Sequence, residues 1–337
     1  MVEPFNSELE NPRICVAGAG AIGLTIASRL LIGGFRVGLV ARGESLSFIK
    51  ENGIRLIDKE GDHRMPAEVG HATDFPPADI LFLCPKSHDM PTLAASIKSL
   101  ITSNTIVVPV INGIPWWYFD GKDDIWDGQQ IVAVDPDGVL KQIIPSRQII
   151  GVTTMITAER IHPGTARTFN PLQMTIGELD DRASDRLDDL ASILGKSGFT
   201  VRKPLHIRDA IWTKVVRNLV SNPVTAITGA TLRQNFGNSY LVDISKLMLH
   251  EVLPVIATYD AKLEVDPEMI LESGWKLGDV KTSMLQDLER GSPLELASIC
   301  DAVIELAKFH RIVMPVTQAI SNLAHFKSSP DGDVFAA

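Results

Sequence analysis

Three polar residues recur at four-residue steps in the segment IWTKVVRNLVSNP: Lys214, Asn218 and Asn222. On a helix, side chains four residues apart lie on one face, so these three would form a polar stripe beside an apolar face of the same helix. Asparagine is a mediocre helix former, and an unpaired buried amide costs about 1 to 3 kcal/mol. The stripe therefore predicts a bound ligand. The structural alternative is a stripe that packs against residues 116–146.

The ammonium group in this stripe suits the reduction of a carbonyl. When hydride reaches the carbonyl carbon, negative charge grows on the oxygen, and a cation beside that oxygen lowers the energy of the developing alkoxide. Lys214 supplies the cation and can then donate a proton. The amides of Asn218 and Asn222 would orient the carboxylate or hydroxyl of the substrate. The pattern thus predicts a reductase in which Lys214 is the proton donor.

A glycine-rich turn is the expected binding site for the hydride carrier. It has the spacing Gly-x-Gly-x-x-Gly and comprises Gly18, Ala19, Gly20, Ala21, Ile22 and Gly23. An apolar run precedes it and a helix-like run follows it, which is the setting that a dinucleotide-binding loop needs. The first glycine makes the turn, the second lets the pyrophosphate approach the backbone, and the third allows close packing of helix and strand. The alternative is a glycine-rich turn that binds no cofactor.

Arg42 indicates which nicotinamide cofactor this turn would bind. It follows the second apolar run, about 20 residues past the loop, where an NAD enzyme has an acid for the ribose 2'-hydroxyl. A guanidinium group suits a 2'-phosphate instead, so we expect NADP, bound as NADPH, rather than NAD. Glu44 lies close by in the sequence. A solvated surface arginine is the alternative interpretation.

The N-terminal part of the chain alternates short apolar runs with helix-like segments. The apolar runs cover residues 14–17, 37–41, 80–84, 106–111 and 149–154. The helix-like segments between them include residues 21–32, 45–52 and 90–101. This alternation is typical of a parallel sheet with crossover helices. We therefore predict a Rossmann-type, doubly wound α/β domain.

From about residue 207 onward, helical patterns replace the strands. They cover residues 209–222, 241–263, 267–277 and 293–310. Because 337 residues exceed what one hydrophobic core usually supports, two domains are expected. We place the NADP-binding domain at residues 12–205 and an all-helical, substrate-binding domain at residues 206–328.

An insertion interrupts the α/β pattern at residues 116–146. It is rich in Asp, Gly and Trp, and the letters DPDG at residues 135–138 indicate a tight turn between two extended segments. The insertion is therefore predicted to resemble a hairpin.

Composition argues against several other classes of protein. The net charge of -9 and the lack of a basic stripe argue against a nucleic-acid partner. No apolar stretch reaches the ~20 residues that span a bilayer, so we expect no membrane association. The opening MVEPFNSELENP is interpreted as a short leader rather than a signal peptide. The widely spaced Cys15, Cys84 and Cys300 predict buried, reduced thiols, a cytoplasmic location and no metal site.

Four blocks of sequence resemble the ketopantoate reductase family, from Arg13 to about Pro315. They are the glycine loop; Lys86 and Asn112-Gly113, each after an apolar run; Lys214 with Asn218, Asn222, Pro223 and Thr225-Ala226; and SMLQD, from Ser283, leading to Glu295. The last two blocks together are specific, whereas the first occurs in many dehydrogenases. The resemblance implies NADPH-dependent reduction of 2-dehydropantoate (ketopantoate) to pantoate, a step of pantothenate and coenzyme A biosynthesis.

The resemblance also implies which residues hold the cofactor. The loop from Gly18 to Gly23, Arg42 and Lys86 would bind NADP, and Asn112 would lie between the nicotinamide and the substrate. Lys86 and Asn112 each follow an apolar run, so both would lie at the carboxyl edge of the sheet, where ligands bind. Either residue alone is more typical of an exposed loop position.

For the substrate, the resemblance implies roles in the C-terminal part of the chain. Lys214 would be the proton donor, with Asn218, Asn222 and Ser283 binding the pantoyl-type substrate. Glu295 would complete the site near the cofactor ribose or the substrate hydroxyl. The alternative for Glu295 is an acid in the first turn of a helix, favourable through the helix dipole alone.

Three departures from the family pattern leave the substrate open. Cys300-Asp301 stands where the family usually has an Asn-Gly pair, Ile111 precedes Asn112-Gly113, and the insertion is longer than the shortest members require. A different branched or aromatic 2-oxo acid is therefore the second hypothesis. A non-catalytic NADP-binding protein is the third, and the retention of Lys214 and Glu295 argues against it. The sequence leaves the oligomeric state open, a homodimer included.

Overall fold

Two compact units make up the part of the chain that the computed structural model describes, residues 11–169 and 172–329. The first comprises the chain through Ile111, Phe119–Gln129 and Gly138–Ile207. The second comprises Asn112–Tyr118, Gln130–Asp137 and the chain from Arg208 onward. The domain limits at 12–205 and 206–328 stay a prediction, and most of the predicted leader, residues 1–10, lies outside the described residues.

The strands of the described residues all belong to the first unit. They are β1 (Ile14–Ala17), β2 (Val37–Val40), β3 (Ile54–Asp58), β4 (Gly61–Met65), β5 (Glu68–Gly70), β6 (Ile80–Leu83), β7 (Ile106–Pro109), β8 (Ile150–Met155), β9 (Ala158–His162), β10 (Thr165–Thr168), β11 (Gln173–Glu178) and β12 (Thr200–Arg202). They form three sheets, with the orders β5-β2-β1-β6-β7, β4-β3-β10-β9 and β12-β11-β8.

The five-stranded sheet is parallel throughout. Val16 of β1 lies opposite Leu39 of β2 on one side and Phe82 of β6 on the other. Every residue of β1, β2, β6 and β7 is buried, which is why these strands are continuously apolar in the sequence. The helices of this unit are α1 (Ala21–Ile32), α2 (Gly43–Asn52), α3 (Met90–Ser96), α4 (Val139–Ile143) and α5 (Asp185–Lys196). The predicted parallel-sheet domain is confirmed for four of the five apolar runs.

The fifth apolar run, residues 149–154, pairs differently from the prediction. A parallel bridge joins Ile149 to Val107, but β8 itself runs antiparallel to β11, with Val152 opposite Ile176. The first residue of the run, Ile149, thus joins the parallel sheet, whereas β8 belongs to a separate sheet, which the sequence did not predict. The physical reason is that a short apolar run signals burial on both faces and carries no information about the direction of its partner.

The second unit is helical in its described residues. Its helices are α6 (Ile207–Leu219), α7 (Asn222–Thr228), α8 (Leu232–Gly237), α9 (Ser239–Thr258), α10 (Pro267–Lys276), α11 (Ser283–Glu289), α12 (Ala302–Phe309) and α13 (Pro315–Ser328). A π-helical turn, Ala297–Asp301, leads into α12. The predicted all-helical C-terminal part is confirmed. Among the described helices, none combines the length and apolar character that a bilayer span requires.

The polar segment predicted as one helix over residues 209–222 is divided in two. α6 ends at Leu219, and Asn222 is the first residue of α7. The cause is Pro223, because its ring lacks an N–H group and would collide with the carbonyl four residues earlier, that of Leu219. The carbonyl of Val220, just past the helix end, accepts a hydrogen bond of 2.8 Å from Ser245 Oγ instead. A single continuous stripe through Asn222 was therefore wrong.

The insertion at residues 116–146 is not hairpin-like. Its described residues form turns followed by α4, without a strand. Two backbone N–H groups of the insertion, those of Val132 and Ala133, donate to the carboxylate of Glu305 on α12 at 2.8 Å each. In a hairpin, such N–H groups would donate to a neighbouring strand. The DPDG letters thus mark a turn, with Gly138 at φ 65°, that leads into a helix.

The three cysteines match the prediction from their spacing. Cys15, Cys84 and Cys300 are free and buried. Burial raises the pKa of the Cys15 thiol to about 11, so it stays protonated at neutral pH. In residues 11–169 and 172–329, no group of three or more His, Cys, Asp or Glu side chains is arranged to hold a metal ion.

Candidate functional site

The glycine loop joins β1 to α1 in the first unit. Gly18 has φ +111°, and a Cβ atom there would lie 2.7 Å from the carbonyl oxygen of Cys84. A Cβ atom at Gly23 would lie 1.9 Å from the carbonyl oxygen of Gly18. Neither position tolerates a side chain, because backbone atoms occupy the space. These two glycines therefore close the turn and let α1 pack against the loop.

Gly20 differs from the other two glycines of the motif. A Cβ atom built on it meets no described atom within 4 Å, so this glycine faces open space. Gly20 is also the N-cap of α1, no side chain caps that helix end, and the first turn contains no acid. The first N–H groups of α1 are thus available to an anion beside a glycine that leaves room for it. The residues present fit the pyrophosphate of a dinucleotide.

Arg42 and Lys86 lie along the same sheet edge as the glycine loop. Arg42 follows β2, and Lys86 follows β6, while β1 lies between these two parallel strands. The Arg42 side chain is 72% exposed, and its Nη2 atom is 3.2 Å from Oδ1 of Asp89. Lys86 is half-buried. The structure therefore brings these predicted cofactor residues together, and it adds an acid, Asp89, that the sequence did not single out.

Asn112, Glu295 and Lys214 come together in the second unit. The Nδ2 atom of Asn112 donates a hydrogen bond of 3.1 Å to Oε2 of Glu295, whose residue is 5% exposed. Lys214 lies half-buried on α6. Burial lowers the pKa of Lys214 to about 8, and the negative charge of Glu295 acts in the opposite direction. An ammonium group with this pKa is still mostly charged at neutral pH, yet it releases its proton more easily than an exposed lysine.

A close backbone contact holds Asn112 beside Glu295. Gly113 has φ +86°, and a Cβ atom there would lie 2.3 Å from the carbonyl oxygen of Ser298 in the π-helical turn. The next residue, Ile114, donates its N–H to that same oxygen at 2.8 Å. Only glycine allows this approach, and the approach fixes the segment that carries Asn112. Gly113 belongs to the Asn112-Gly113 block of the sequence, but nothing in the sequence indicates its contact with Ser298.

The three predicted substrate-binding residues Asn218, Asn222 and Ser283 lie on three different helices. Asn218 is half-buried on α6, Asn222 is 4% exposed at the start of α7, and Ser283 is exposed at the start of α11. Within the described ranges, no residue hydrogen-bonds to the side-chain amide of Asn218 or to the hydroxyl of Ser283. These two groups are thus available to a ligand.

A chain of hydroxyl groups connects the starts of α7 and α11. Thr225 Oγ1 donates to the carbonyl oxygen of Asn222 at 3.0 Å and lies 2.7 Å from Thr282 Oγ1. Because the Thr225 proton is already used, Thr282 is the donor in this pair. Thr282 also caps α11 by accepting the N–H of Leu285 at 3.2 Å. The two buried threonines therefore join the backbone of Asn222 to the residue that precedes Ser283, a link with no signal in the sequence.

The insertion contacts α6 at Trp212 and Arg208. Tyr118 is 2% exposed, and its hydroxyl accepts a hydrogen bond of 2.7 Å from Trp212 Nε1. The carbonyl of Tyr118 accepts a second hydrogen bond, of 2.9 Å, from Arg208 Nε. These contacts join the Tyr118 segment to one buried aromatic and one buried cationic side chain of α6. The alternative in which the polar stripe packs against the insertion stays a prediction.

The unusual Cys300-Asp301 pair packs inside the helical unit. Cys300 is fully buried. One carboxylate oxygen of Asp301 accepts from Ser321 Oγ at 2.9 Å, and the other lies 2.9 Å from His325 Nε2 on α13. The Asp301 carboxylate holds the pKa of His325 above its usual range. The contacts of this pair are therefore directed at α13.

Two family models match the chain. The model described as "Ketopantoate reductase PanE/ApbA" matches residues 14–181, and the one described as "Ketopantoate reductase PanE/ApbA C terminal" matches residues 206–328. The 2-dehydropantoate 2-reductase of Mesorhizobium japonicum is 32% identical over 310 residues, which are 91% of this chain and 95% of that protein. That of Archaeoglobus fulgidus is 26% identical over 317 residues, 92% and 96% of the two chains.

Solved structures show the same fold. A putative ketopantoate reductase from Ralstonia solanacearum superposes with a TM-score of 0.91 at 30% identity, covering 95% of this chain and 98% of that one. D-mandelate dehydrogenase, solved with NADH and anilino(oxo)acetate, superposes with a TM-score of 0.82 at 21% identity, covering 94% and 99%. The likeness to D-mandelate dehydrogenase shows the fold alone. The likeness to the Ralstonia solanacearum protein also supports the family resemblance inferred from the four sequence blocks.

Proposed function

This chain belongs to the ketopantoate reductase family and is a 2-dehydropantoate 2-reductase-like oxidoreductase, and we propose that it reduces 2-dehydropantoate to pantoate with NADPH. The observation that carries the proposal is the group formed by Lys214, Glu295 and Asn112. It combines a lysine whose pKa is lowered to about 8 with a buried carboxylate held by an amide. Such a group can stabilise a negative oxygen and then protonate it.

Lys214 has two tasks in the proposed reaction. A bound nicotinamide supplies hydride to the carbonyl carbon of the substrate. The Lys214 ammonium stabilises the oxygen as it becomes negative and transfers a proton to it, which leaves the hydroxyl of pantoate and a neutral amine. Glu295 keeps Lys214 charged in its buried setting, and Asn112 orients Glu295.

The proposed cofactor site uses the sheet edge of the first unit. The first N–H groups of α1 and the open space at Gly20 would hold the pyrophosphate, and Arg42 would hold the 2'-phosphate of NADPH. Lys86 would add a positive charge to the same edge. NADH is the cofactor in the D-mandelate dehydrogenase structure, so the preference for NADPH in this chain is a separate point to test.

The proposed substrate site uses the polar ends of the helices in the second unit. The amides of Asn218 and Asn222 and the hydroxyl of Ser283 would bind the carboxylate and the hydroxyl of the pantoyl-type substrate. With this substrate the protein would be an enzyme of pantothenate biosynthesis. Its free, buried cysteines would suit a cytoplasmic location. Another 2-oxo acid is the second candidate, and D-mandelate dehydrogenase, solved with an anilino-substituted one, suggests the aromatic side chains to include in a test.

The decisive experiment measures oxidation of NADPH and NADH by the purified protein with a panel of 2-oxo acids. The panel contains 2-dehydropantoate, shorter branched 2-oxo acids and benzoylformate, and kcat/KM is compared across it. The highest value is expected for 2-dehydropantoate with NADPH. A higher kcat/KM for benzoylformate would identify an aromatic 2-oxo acid as the preferred substrate. A higher kcat/KM with NADH would identify NADH as the preferred cofactor. Stoichiometric binding of NADPH without turnover on any member would contradict an enzymatic role.

A further inference from the structure

A second arginine reaches the start of α2 in the first unit. Arg160 lies on β9, the edge strand of the sheet β4-β3-β10-β9. Its Nη1 atom donates a hydrogen bond of 3.3 Å to Oγ of Ser45. Ser45 lies in the first turn of α2, three residues after Arg42. Two exposed guanidinium groups from distant parts of the sequence therefore flank one turn of helix.

Asp89 and Glu44 are acidic residues beside this turn. Asp89 lies 3.2 Å from the Arg42 guanidinium, and its other carboxylate oxygen is 3.8 Å from Nε2 of His88. Glu44 is exposed in the first turn of α2. Arg42 is thus already engaged by an acid, whereas Arg160 is bonded to a neutral hydroxyl.

We propose that Arg160 is a second binding residue for the adenosine 2'-phosphate, with Ser45 between the two arginines, and that Asp89 opposes binding of that phosphate. This inference rests on the proposed function, because it concerns the NADPH site. It makes the choice between NADPH and NADH depend on a balance of charges, Arg42 and Arg160 against Asp89 and Glu44, rather than on Arg42 alone.

The chemistry of the three side chains suits a phosphate. The Ser45 hydroxyl accepts a hydrogen bond from Arg160 and keeps its own proton to donate to a phosphate oxygen. Guanidinium groups present several donors in a plane that matches phosphate oxygens, and their charge is permanent. A 2'-hydroxyl in the same place carries no charge, so the two arginines have little influence on NADH. An acid can accept a hydrogen bond from that hydroxyl, and the amide oxygen of an asparagine in place of Asp89 can accept the same bond.

Asp89 acts in two ways against the phosphate. It holds Arg42 in an ion pair that must open for Arg42 to turn to a ligand, and its own negative charge repels a phosphate nearby. Both groups are largely exposed, with side chains 72% and 42% accessible, so solvent weakens the pair. An effect of roughly threefold on binding is therefore expected, since exposed charges in water interact weakly.

The test measures binding to the cofactor-free full-length protein by calorimetry, so it does not depend on turnover. The probes are adenosine 2',5'-bisphosphate, which contains the 2'-phosphate, and 5'-AMP, which lacks it. Arg160→Gln is expected to weaken binding of the bisphosphate about tenfold, the usual effect of one charge-assisted hydrogen bond, and to change 5'-AMP binding less than about twofold. Asp89→Asn is expected to tighten binding of the bisphosphate roughly threefold and to leave 5'-AMP unchanged.

Arg64→Gln is the matched control for charge. Arg64 is an exposed arginine on β4, the opposite edge of the sheet that contains β9, so its removal lowers the net charge equally. It is expected to change neither dissociation constant. Equal weakening of both probes by Arg160→Gln, or an effect no larger than that of Arg64→Gln, would overturn the inference and leave Arg160 a link between β9 and α2.

Arg42→Gln separates this inference from the proposed function. If it removes the preference for the bisphosphate while Arg160→Gln keeps it, the assigned role of Arg160 fails and the NADPH site stands. If the wild-type protein binds both probes equally well, the preference for NADPH itself fails. Loss of selectivity in Arg42→Gln and Arg160→Gln, with a gain in Asp89→Asn, is the result that supports the charge balance.

Discussion

Two regions of the molecule, the glycine loop and the Lys214 group, are built in opposite ways. The glycine loop of the first unit gathers its functional groups within six consecutive residues, Gly18 to Gly23, and it works through backbone atoms and open space. The Lys214 group of the second unit gathers side chains far apart in the chain, since Asn112 and Glu295 are separated by 183 positions. The glycine loop has no titratable group at its centre, whereas the Lys214 group depends on a buried charge and its neighbours.

Because of this difference, substitutions in the two regions are expected to impair different properties of the protein. A side chain added to the glycine loop excludes an anion or collides with backbone, so its effect falls on cofactor binding or folding. A change near Lys214 alters a protonation equilibrium, so its effect falls on turnover and its pH dependence. Variants that damage one function and spare the other are the means to test the comparison.

The largest expected effect comes from Lys214→Ala. Removing the proton donor is expected to lower kcat by ~100-fold or more, while the dissociation constant for NADPH changes little. Steady-state kinetics with 2-dehydropantoate and a fluorescence titration with NADPH measure the two quantities. Lys246→Ala, which removes an exposed lysine from α9, is the control and is expected to keep wild-type turnover. Unchanged kcat in Lys214→Ala would remove Lys214 from the chemistry.

Gly20→Ala tests the other half of the comparison. Its methyl group meets no protein atom within 4 Å, so the melting temperature is expected to stay the same. The methyl group would occupy the space in which the pyrophosphate is proposed to bind. The dissociation constant for NADPH is therefore expected to rise about tenfold, equivalent to about 1.4 kcal/mol. Gly23→Ala is the contrasting variant, because its methyl group would overlap the Gly18 carbonyl and is expected to lower the melting temperature. Equal stability losses in both variants would contradict the distinct role of Gly20.

Glu295→Gln is expected to shift the pH dependence of turnover. Reduction needs Lys214 protonated, so kcat is expected to fall as the pH rises through the Lys214 pKa of about 8. Glu295 raises that pKa, so its neutral replacement should move the fall in kcat to lower pH. The glutamine oxygen still accepts from Asn112. Profiles of kcat between about pH 6 and 10 measure the shift, and a fall at the same or higher pH in the variant would disprove the coupling.

The smallest expected effect concerns the hydroxyl chain between α7 and α11. Thr282→Val removes the hydroxyl that bonds to Thr225 and caps α11. The positions of Asn222 and Ser283 relative to each other are therefore expected to become less well defined. A rise of roughly threefold in the KM for the 2-oxo acid is expected, with kcat and NADPH binding unchanged, since a neutral hydrogen bond contributes about 1 kcal/mol. Thr282→Ser retains the hydroxyl and should restore the KM. A KM raised equally in both variants would point to packing of the methyl group instead.

Much of the fold was predictable because its signals are local. The runs that became β1, β2, β6 and β7 are continuously apolar, and α1 begins and ends at the predicted residues, Ala21 and Ile32. The direction of β8 was not predictable, because it depends on which strand lies beside it. The helix break at Leu219 was signalled by Pro223, but the four-residue spacing of Lys214, Asn218 and Asn222 masked it.

For this protein, the sequence by itself determined the glycine loop, the parallel sheet and the identity of the polar residues, because short-range sterics and burial dictate them. Only the tertiary structure decided that Asn112 bonds to Glu295, that Ser298 leaves room for Gly113 alone, and that Arg160 reaches Ser45. These contacts join residues from remote parts of the chain. Burial beside a carboxylate, which sets the pKa of Lys214, likewise exists only once those parts have packed together.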